Sequence, residues 1–471
     1  MDIKEIVDKQ RELFLTGKTL DYEFRKQQLH ILEQTIKKHT NELLEAFKAD
    51  LNKCEFDAVT TEISLAMQEL RYQRKHLRKF MRPRSVRTTL LNFPAKGKII
   101  YEPYGNVLIM SPWNYPFQLT INPLIAAIAT GNTAVVKPSA YTPNVAQVIK
   151  NMLDEFDPAY IATVMGGRAQ NQELLDQKFD LIFFTGSKEV GRVVEEKASQ
   201  HLCPVILELG GKSPCIVDET ANIKTAARRI AWGKFLNAGQ TCIAPDYILV
   251  HSSVYDNFIN TVVEQTKQFF YTDKKLNDNF MYIVNEKHVE RLKGLIDKKK
   301  VVFGGKVNGR QLEPTIMKNV SFDDAVMQEE IFGPIMPIIK YDDINEVINY
   351  INTHDKPLAL YYFSRNKQSI NKVVNLTSSG GVCINEVIMH FTEHNLPFGG
   401  VGASGMGNYH GKHSFASFSH EKCILKKSPN VELMIKYPPY TEKKSQFAYF
   451  YLGHKHQKDC LLYTSPSPRD R

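Results

Sequence analysis

Asn106-Val-Leu-Ile-Met110, Thr133-Ala-Val-Val-Lys137 and Leu181-Ile-Phe-Phe184 are three short runs with almost no polar side chain inside them, separated by segments of helical spacing. A run that is apolar at odd and even positions alike has no solvent face, so it reads as a strand of a parallel sheet with helices on both sides. The helix between the second and third runs is clear. Thr142 stands as its N-cap, Pro143 at its first position, and Val145, Val148, Ile149, Met152 and Leu153 on one face. The alternation restarts after Glu208 with Ser213-Pro-Cys-Ile-Val217, a helix from Asn222 to Leu236, a turn at Cys242 and Tyr247-Ile-Leu-Val250. A second α/β domain is therefore predicted to begin near Gly211. Upstream, Leu29, Leu32, Ile36, Leu43, Leu44 and Phe47 recur at helical spacing among charges, the pattern of amphipathic helices packed on something larger.

The chain has 471 residues, 43% of them hydrophobic, enough for more than one core. Its formal charge of +9 is spread through helices that also carry acids, and no basic stripe with interleaved aromatics suggests nucleic acid. The seven cysteines (Cys54, Cys203, Cys215, Cys242, Cys383, Cys423 and Cys460) contain no CxxC pair, which argues against a disulfide framework and a zinc site and for a reducing, cytoplasmic setting. Cys203, Cys215 and Cys383 lie in or beside apolar runs and read as inert core thiols. No secretory signal is visible among Asp2, Lys4, Glu5 and Asp8. The longest apolar stretch, 121–136, is broken by Asn122, Pro123, Gly131 and Asn132 and is too short to span a bilayer. Residues 446–471 read as an irregular tail, whose aromatic and basic residues suit at most a weak peripheral membrane contact.

Three short motifs carry chemistry. Gly239-Gln-Thr-Cys242 is a small-residue turn that leaves one thiol at its end, Glu208-Leu-Gly-Gly-Lys212 puts a carboxylate before two glycines, and Pro112-Trp-Asn-Tyr-Pro116 holds the amide of Asn114 between prolines. Thiol, carboxylate and amide are the parts of an acyl-forming site. On the residues alone, Asn114 reads more readily as part of a simple turn between strand and helix, and Glu208 equally as a cap of the turn at Gly210-Gly211. Phe184-Thr-Gly186-Ser187 closes a strand and opens a helix, with Ser187 as N-cap and Gly191 small enough for close packing. Such a junction is an anion site, although the G-x-G-x-x-G fingerprint is absent.

These motifs, with the segment from Leu396-Pro-Phe-Gly-Gly-Val401 to Tyr409-His-Gly411, resemble the aldehyde dehydrogenase superfamily and its class 3-like branch, from the first helix to about Lys444. The resemblance implies a Rossmann-like cofactor domain (1–82 and 105–210), an α/β catalytic domain (211–411), and a small β bridging and oligomerisation arm (83–104 and 412–445) that builds a homodimer. It implies oxidation of a medium or long aliphatic or aromatic aldehyde with NAD or NADP. Cys242 becomes the nucleophile, Glu208 the base for thioester hydrolysis, and Asn114 with the Cys242 N–H the oxyanion donors. Gly186, Ser187 and Gly191 would meet the pyrophosphate, Lys137 the adenosine ribose, and Glu330 and Phe332 the nicotinamide ribose and ring; without the resemblance, Lys137 is a lysine at a strand end, Glu330 a surface acid and Phe332 core. Tyr115 and Ile388-Met-His-Phe391 are expected at the substrate entrance. Class 3-like members usually carry a glutamate where this chain has Ala140, so NADP is expected to be accepted. Two alternatives remain on the residues: a cofactor-free thiol esterase using the same triad, and a non-catalytic relative.

Overall fold

In the computed structural model the described residues are 2–451 and 453. They fall into two units, 1–82 with 100–422, and 83–99 with the residues from 423 onward. The larger unit contains two large sheets and two short two-stranded ones. In the first, the strand order is Gly405–Met406, Val205–Glu208, Leu181–Thr185, Asn106–Met110, Thr133–Lys137, Ile161–Thr163, and every strand is parallel except the first. In the second, the order is Val301–Phe303, Thr315–Met317, Ile335–Tyr341, Tyr247–His251, Pro214–Val217, Ala359–Phe363, Gly381–Ile384, again parallel apart from the first. The runs at 106–110, 133–137 and 181–185 are buried at every position, as strands covered on both faces must be.

The apolar stretch 121–136 divides into a completely buried helix, Gln118–Thr130, and a strand, with Gly131 in the left-handed region between them. Among the described residues no helix is long and apolar enough to cross a membrane. The helices Tyr22–Lys38 and Thr40–Leu51 bury Leu29, Leu32, Ile36, Leu43 and Phe47, while Leu44 is only partly covered.

Four details depart from the sequence expectation. Thr142 holds the N-cap position of Pro143–Leu153, but its hydroxyl makes no cap; Asp50 accepts from the Asn144 and Val145 N–H groups instead, at 3.3 and 2.9 Å. Gly405–Met406, expected in the catalytic domain, adds antiparallel to Val205–Glu208, with Gly405 opposite Glu208. Residues 412–422, expected in the arm, belong to the larger unit, because the apolar side chains of Phe415 and Phe418 are buried and helix Lys412–Ser417 packs on Gln118–Thr130 and Ser64–Phe80. The expected irregular tail begins inside a helix, Glu442–Tyr451; the basic stretch 454–458 and Cys460 lie outside the described residues. A further sheet has the order Arg84–Val86, Ala95–Pro103, Ser419–Lys427, its first two strands antiparallel with Arg84 opposite Ile99.

Candidate active site

Parallel strands in register end together, and the register here opposes Met110 to both Lys137 and Phe184, and Thr185 to Glu208. Lys137, the Gly186-Ser187 turn, Glu208 and the 111–117 segment that follows Met110 therefore leave one sheet edge, the carboxyl edge where open α/β sheets bind ligands.

Cys242 reaches that edge from the other sheet. After helix Ile223–Phe235 the chain turns through three successive left-handed residues, Asn237 (φ 57°), Ala238 (φ 52°) and Gly239 (φ 70°). Two of the three are not glycine, and such backbone persists only where its surroundings over-determine it. They do. Asn237 Nδ2 donates to Asn114 O at 2.9 Å and Gln240 O at 3.1 Å, and the Gln240 side chain donates to Tyr282 O and accepts from Val284 N, each at 3.0 Å. Gly239 is obligatory for a second reason: a Cβ there would stand 2.2 Å from Gly333 O. Asn114 Nδ2 donates to Gln240 O at 3.0 Å, which fixes the plane of its amide beside the turn, and Tyr115 Oη lies 2.8 Å from Thr241 Oγ1. Asn237 was not foreseen as a site residue. Its signal was an asparagine just after a helix, the side chain that best tolerates a left-handed backbone.

The electrostatics run against a resting thiolate. Burial, followed by the Glu330 and Glu208 carboxylates, pushes the Cys242 thiol up to about 12, although the backbone N–H groups of Cys242 and Ile243 pull the other way. Burial alone holds Glu208 well above the usual carboxylate range; its two oxygens hydrogen-bond no protein group among the described residues. Glu330 is raised to about 7, chiefly by burial and then by Asp246, while the Gly211 N–H favours its charged form. Raised thiols also occur at Cys203 and Cys383, at about 12 and about 11, and Cys215 lies well above its usual value. Cys203 is only half-buried, against the expectation of a core thiol. What separates Cys242 is the cavity it faces. Its side chain lines a cavity of about 400 Å³ whose other walls include Leu119, Trp232, Leu236, Ile243 and Met389.

Tyr115, Ile388, Met389 and Phe391 face this cavity as expected, but His390 does not; its Nδ1 lies 3.1 Å from Cys383 Sγ, and burial lowers the ring to about 4. Phe56, Leu65 and Trp232 were missed, because their helices, Glu55–Ala58, Ser64–Phe80 and Ile223–Phe235, meet at the cavity only through the fold.

A second cavity, of about 430 Å³, is lined by Lys188, Lys212, Glu330, Tyr350, His354 and Pro357. Ser187 caps helix Lys188–Ser199 by accepting from Val190 N, Gly186 N donates to Glu208 O, and Gly191 is buried against Leu209. Lys137 is buried, donates to Pro138 O at 2.8 Å and is lowered to about 8 by burial. The Glu330 carboxylate lies against Gly210, where a Cβ would come within 2.1 Å of Oε2. Lys212 Nζ donates to Val326 O and Glu329 O, and Asp246 accepts from Ile331 N, so the Glu330–Phe332 segment is held from two sides. Phe332, with φ 46°, packs edge-to-face on Trp113 at 5.4 Å. An exposed helix N-terminus, a cleft backed by a glycine and a buried cation at the end of Thr133–Lys137, two strands away, fit a nicotinamide dinucleotide laid across the sheet edge. Among the described residues no group of three or more His, Cys, Asp or Glu could hold a metal ion.

A doubly wound sheet with a thiol, a desolvated carboxylate and a dinucleotide-sized cleft at its carboxyl edge defines a thiol-dependent oxidoreductase class. Residues 1–424 match the aldehyde dehydrogenase family, and the chain belongs to it as an NAD(P)-dependent enzyme. It is 48% identical over 444 residues to the 4,4'-diaponeurosporen-aldehyde dehydrogenase of Staphylococcus aureus, covering 93% of this chain and 96% of that one. It is 45% identical over 457 residues to aldehyde dehydrogenase family 3 member A2 of Mus musculus, covering 96% and 94%. A solved structure described as the substrate-bound state of Staphylococcus aureus AldH superposes with a TM-score of 0.93 at 46% identity, covering 96% of this chain and all of that one.

Proposed function

We propose that this enzyme oxidises medium- to long-chain apolar aldehydes to carboxylic acids, accepting both NAD and NADP, with Cys242 as nucleophile, Asn114 as oxyanion donor and Glu208 as base. The observation that carries the reading is the apolar cavity that ends on the Cys242 side chain. Its walls reward a hydrocarbon chain by about 0.8 kcal/mol per buried methylene, and they leave the aldehyde carbon facing the sulfur. A terpenoid or fatty aldehyde suits such walls, and the name of the Staphylococcus aureus relative is of that kind.

The steps follow from the residues. As the sulfur adds to the carbonyl carbon, its proton passes to a facing carboxylate, and the carbonyl oxygen becomes an oxyanion. The Asn114 amide, fixed by Gln240 O, and the Cys242 N–H stabilise that oxygen. NAD(P) held by Lys137, Gly186, Ser187, Gly191, Glu330 and Phe332 would supply the hydride acceptor that lets the tetrahedral adduct on Cys242 become a thioester. Desolvation makes Glu208 a stronger base than a solvated carboxylate, so it removes a proton from the water that attacks the thioester. The C–S bond breaks, the acid leaves, and the sulfur recovers its proton. Lys137, Gly186, Ser187, Gly191, Glu330 and Phe332 hold and orient the dinucleotide in this scheme. No glutamate at position 140 opposes a 2′-phosphate near Lys137, which supports use of both cofactors.

The same proposal includes a homodimer formed through the smaller unit, which exposes Leu90, Leu91, Phe93 and Leu425, and a cytoplasmic setting suited to the reduced thiols. The test of the roles is single-turnover kinetics. Glu208→Gln should give one equivalent of reduced cofactor and then slow by about 10²–10⁴, whereas Cys242→Ala should give none. Equal loss in both phases for both variants would contradict the separate roles.

A further inference from the structure

We propose that Lys53 and Glu62, a buried ion pair outside the reacting groups, are positioning residues for the acylation step and act through Asn114; this rests on the reading of Asn114 as oxyanion donor. The pair is fully enclosed, with Lys53 1% and Glu62 0% exposed, and Lys53 Nζ lies 2.7 Å from Glu62 Oε1. Glu62 Oε2 accepts from the backbone N–H of Phe117 at 3.1 Å and of Gln118 at 3.0 Å. Those two groups open helix Gln118–Thr130, directly after the Pro112–Pro116 segment that carries Asn114. The Lys53 ammonium also lies over the face of Tyr115, 4.4 Å from the ring centroid, and the Tyr115 hydroxyl meets Thr241, the neighbour of Cys242. The pair therefore grips the oxyanion segment at Tyr115, the neighbour of Asn114, and at Phe117 and Gln118 just beyond it, and the Tyr115–Thr241 contact ties it to the turn that carries the nucleophile.

An ion pair withdrawn from water returns its desolvation cost only when further hydrogen bonds are satisfied, and apolar replacements of similar volume are often as stable. Stability alone thus gives weak reason for these charges at this place. What they do that apolar side chains cannot is accept two N–H groups and hold an aromatic face from the same point. Glu62 also sits in the π-helical turn Val59–Ile63, whose Thr60 and Thr61 line the cavity. One turn accordingly shapes the chamber and fixes the amide at its end.

The test is a double-mutant cycle on the full chain with NAD and a medium-chain aldehyde, reading the pre-steady-state burst of NADH, KM and the melting temperature. Glu62→Gln should slow the burst by about tenfold or more with KM little changed. In an Asn114→Ala background the same substitution should cost less than about twofold, since the group it positions is gone. The loss of melting temperature should be alike in both backgrounds. If Glu62→Gln alone does not fold, Lys53→Met/Glu62→Gln, which leaves no lone buried charge, takes its place in the cycle. Equal fold-losses of burst rate in both backgrounds, or a fall in melting temperature with an unchanged burst, would overturn the positioning role. Should Asn114→Ala itself leave the burst intact, the oxyanion reading fails at its own step, and the positioning role falls with it.

Discussion

The Cys242 thiol should be nearly inert in the protein without dinucleotide. With the thiol pushed up to about 12, its thiolate fraction at pH 7 is about 10⁻⁵, against roughly 3% for a free cysteine of ordinary acidity. That is a deficit of about 3.5 decades, of which the greater nucleophilicity of a more basic thiolate recovers about 1.6. Alkylation by iodoacetamide at pH 7 should therefore run about a hundredfold slower than for free cysteine. Mass spectrometry of the Cys242 peptide, with Cys242→Ser as control, measures it between pH 6 and 10. The slope is the decisive quantity, because restricted access through the cavity scales the rate alike at every pH. The logarithm of the rate should climb by about one per pH unit, less steeply around pH 7 where Glu330 ionises, and without a plateau. Glu330, itself raised to about 7, ionises within this range and adds its repulsion from there on. Glu330→Gln should accordingly speed alkylation above pH 7 and leave it unchanged near pH 6, each 1.36 kcal/mol of removed repulsion giving about tenfold more thiolate. A plateau between pH 7 and 9 would show that burial and the facing carboxylates do not control this sulfur.

Three further outcomes follow from the geometry. NAD should not be preferred over NADP by more than about a thousandfold in kcat/KM, roughly 4 kcal/mol, and Ala140→Glu should shift the ratio toward NAD; an unchanged ratio would detach position 140 from cofactor choice. Gly239→Ala meets both a left-handed φ of 70° and the Gly333 carbonyl, so it should lower stability by about 1–3 kcal/mol, read by urea denaturation, and a neutral result would refute the tight contact between the two turns. Leu119→Trp narrows the cavity, so long-chain aldehydes should lose kcat/KM at about 0.8 kcal/mol per excluded methylene while short ones are spared; a uniform loss over chain length would mean that Leu119 does not bound the chain.

The parallel strands were legible because burial on both faces leaves its mark on every residue of a run, as at 106–110 and 181–185. Local turn chemistry was equally readable: Ser187 caps its helix, and the glycines at 210 and 239 stand where another chain segment comes too close for a Cβ. What stayed hidden is what depends on distant chain. The cap of Pro143–Leu153 comes from Asp50, 94 residues earlier, and no window around Thr142 contains it. Lys53 and Glu62 sit nine residues apart, a spacing with no helical meaning, and their pairing became visible only through the backbone of Phe117 and Gln118. Phe56, 75% exposed on the four-residue helix Glu55–Ala58, carries no signal when seen alone and becomes a wall of the cavity that Cys242 also lines only through the fold. The same division explains why the nucleophile could be named but not its state. A small-residue turn marks Cys242 in the sequence, yet burial raises Cys203, Cys215 and Cys383 as it raises Cys242, so acidity does not select among them. Reactivity at position 242 is a property of the cavity its sulfur faces, and that cavity is made by helices distant in sequence and by the loops around residues 115, 241–243 and 388–392.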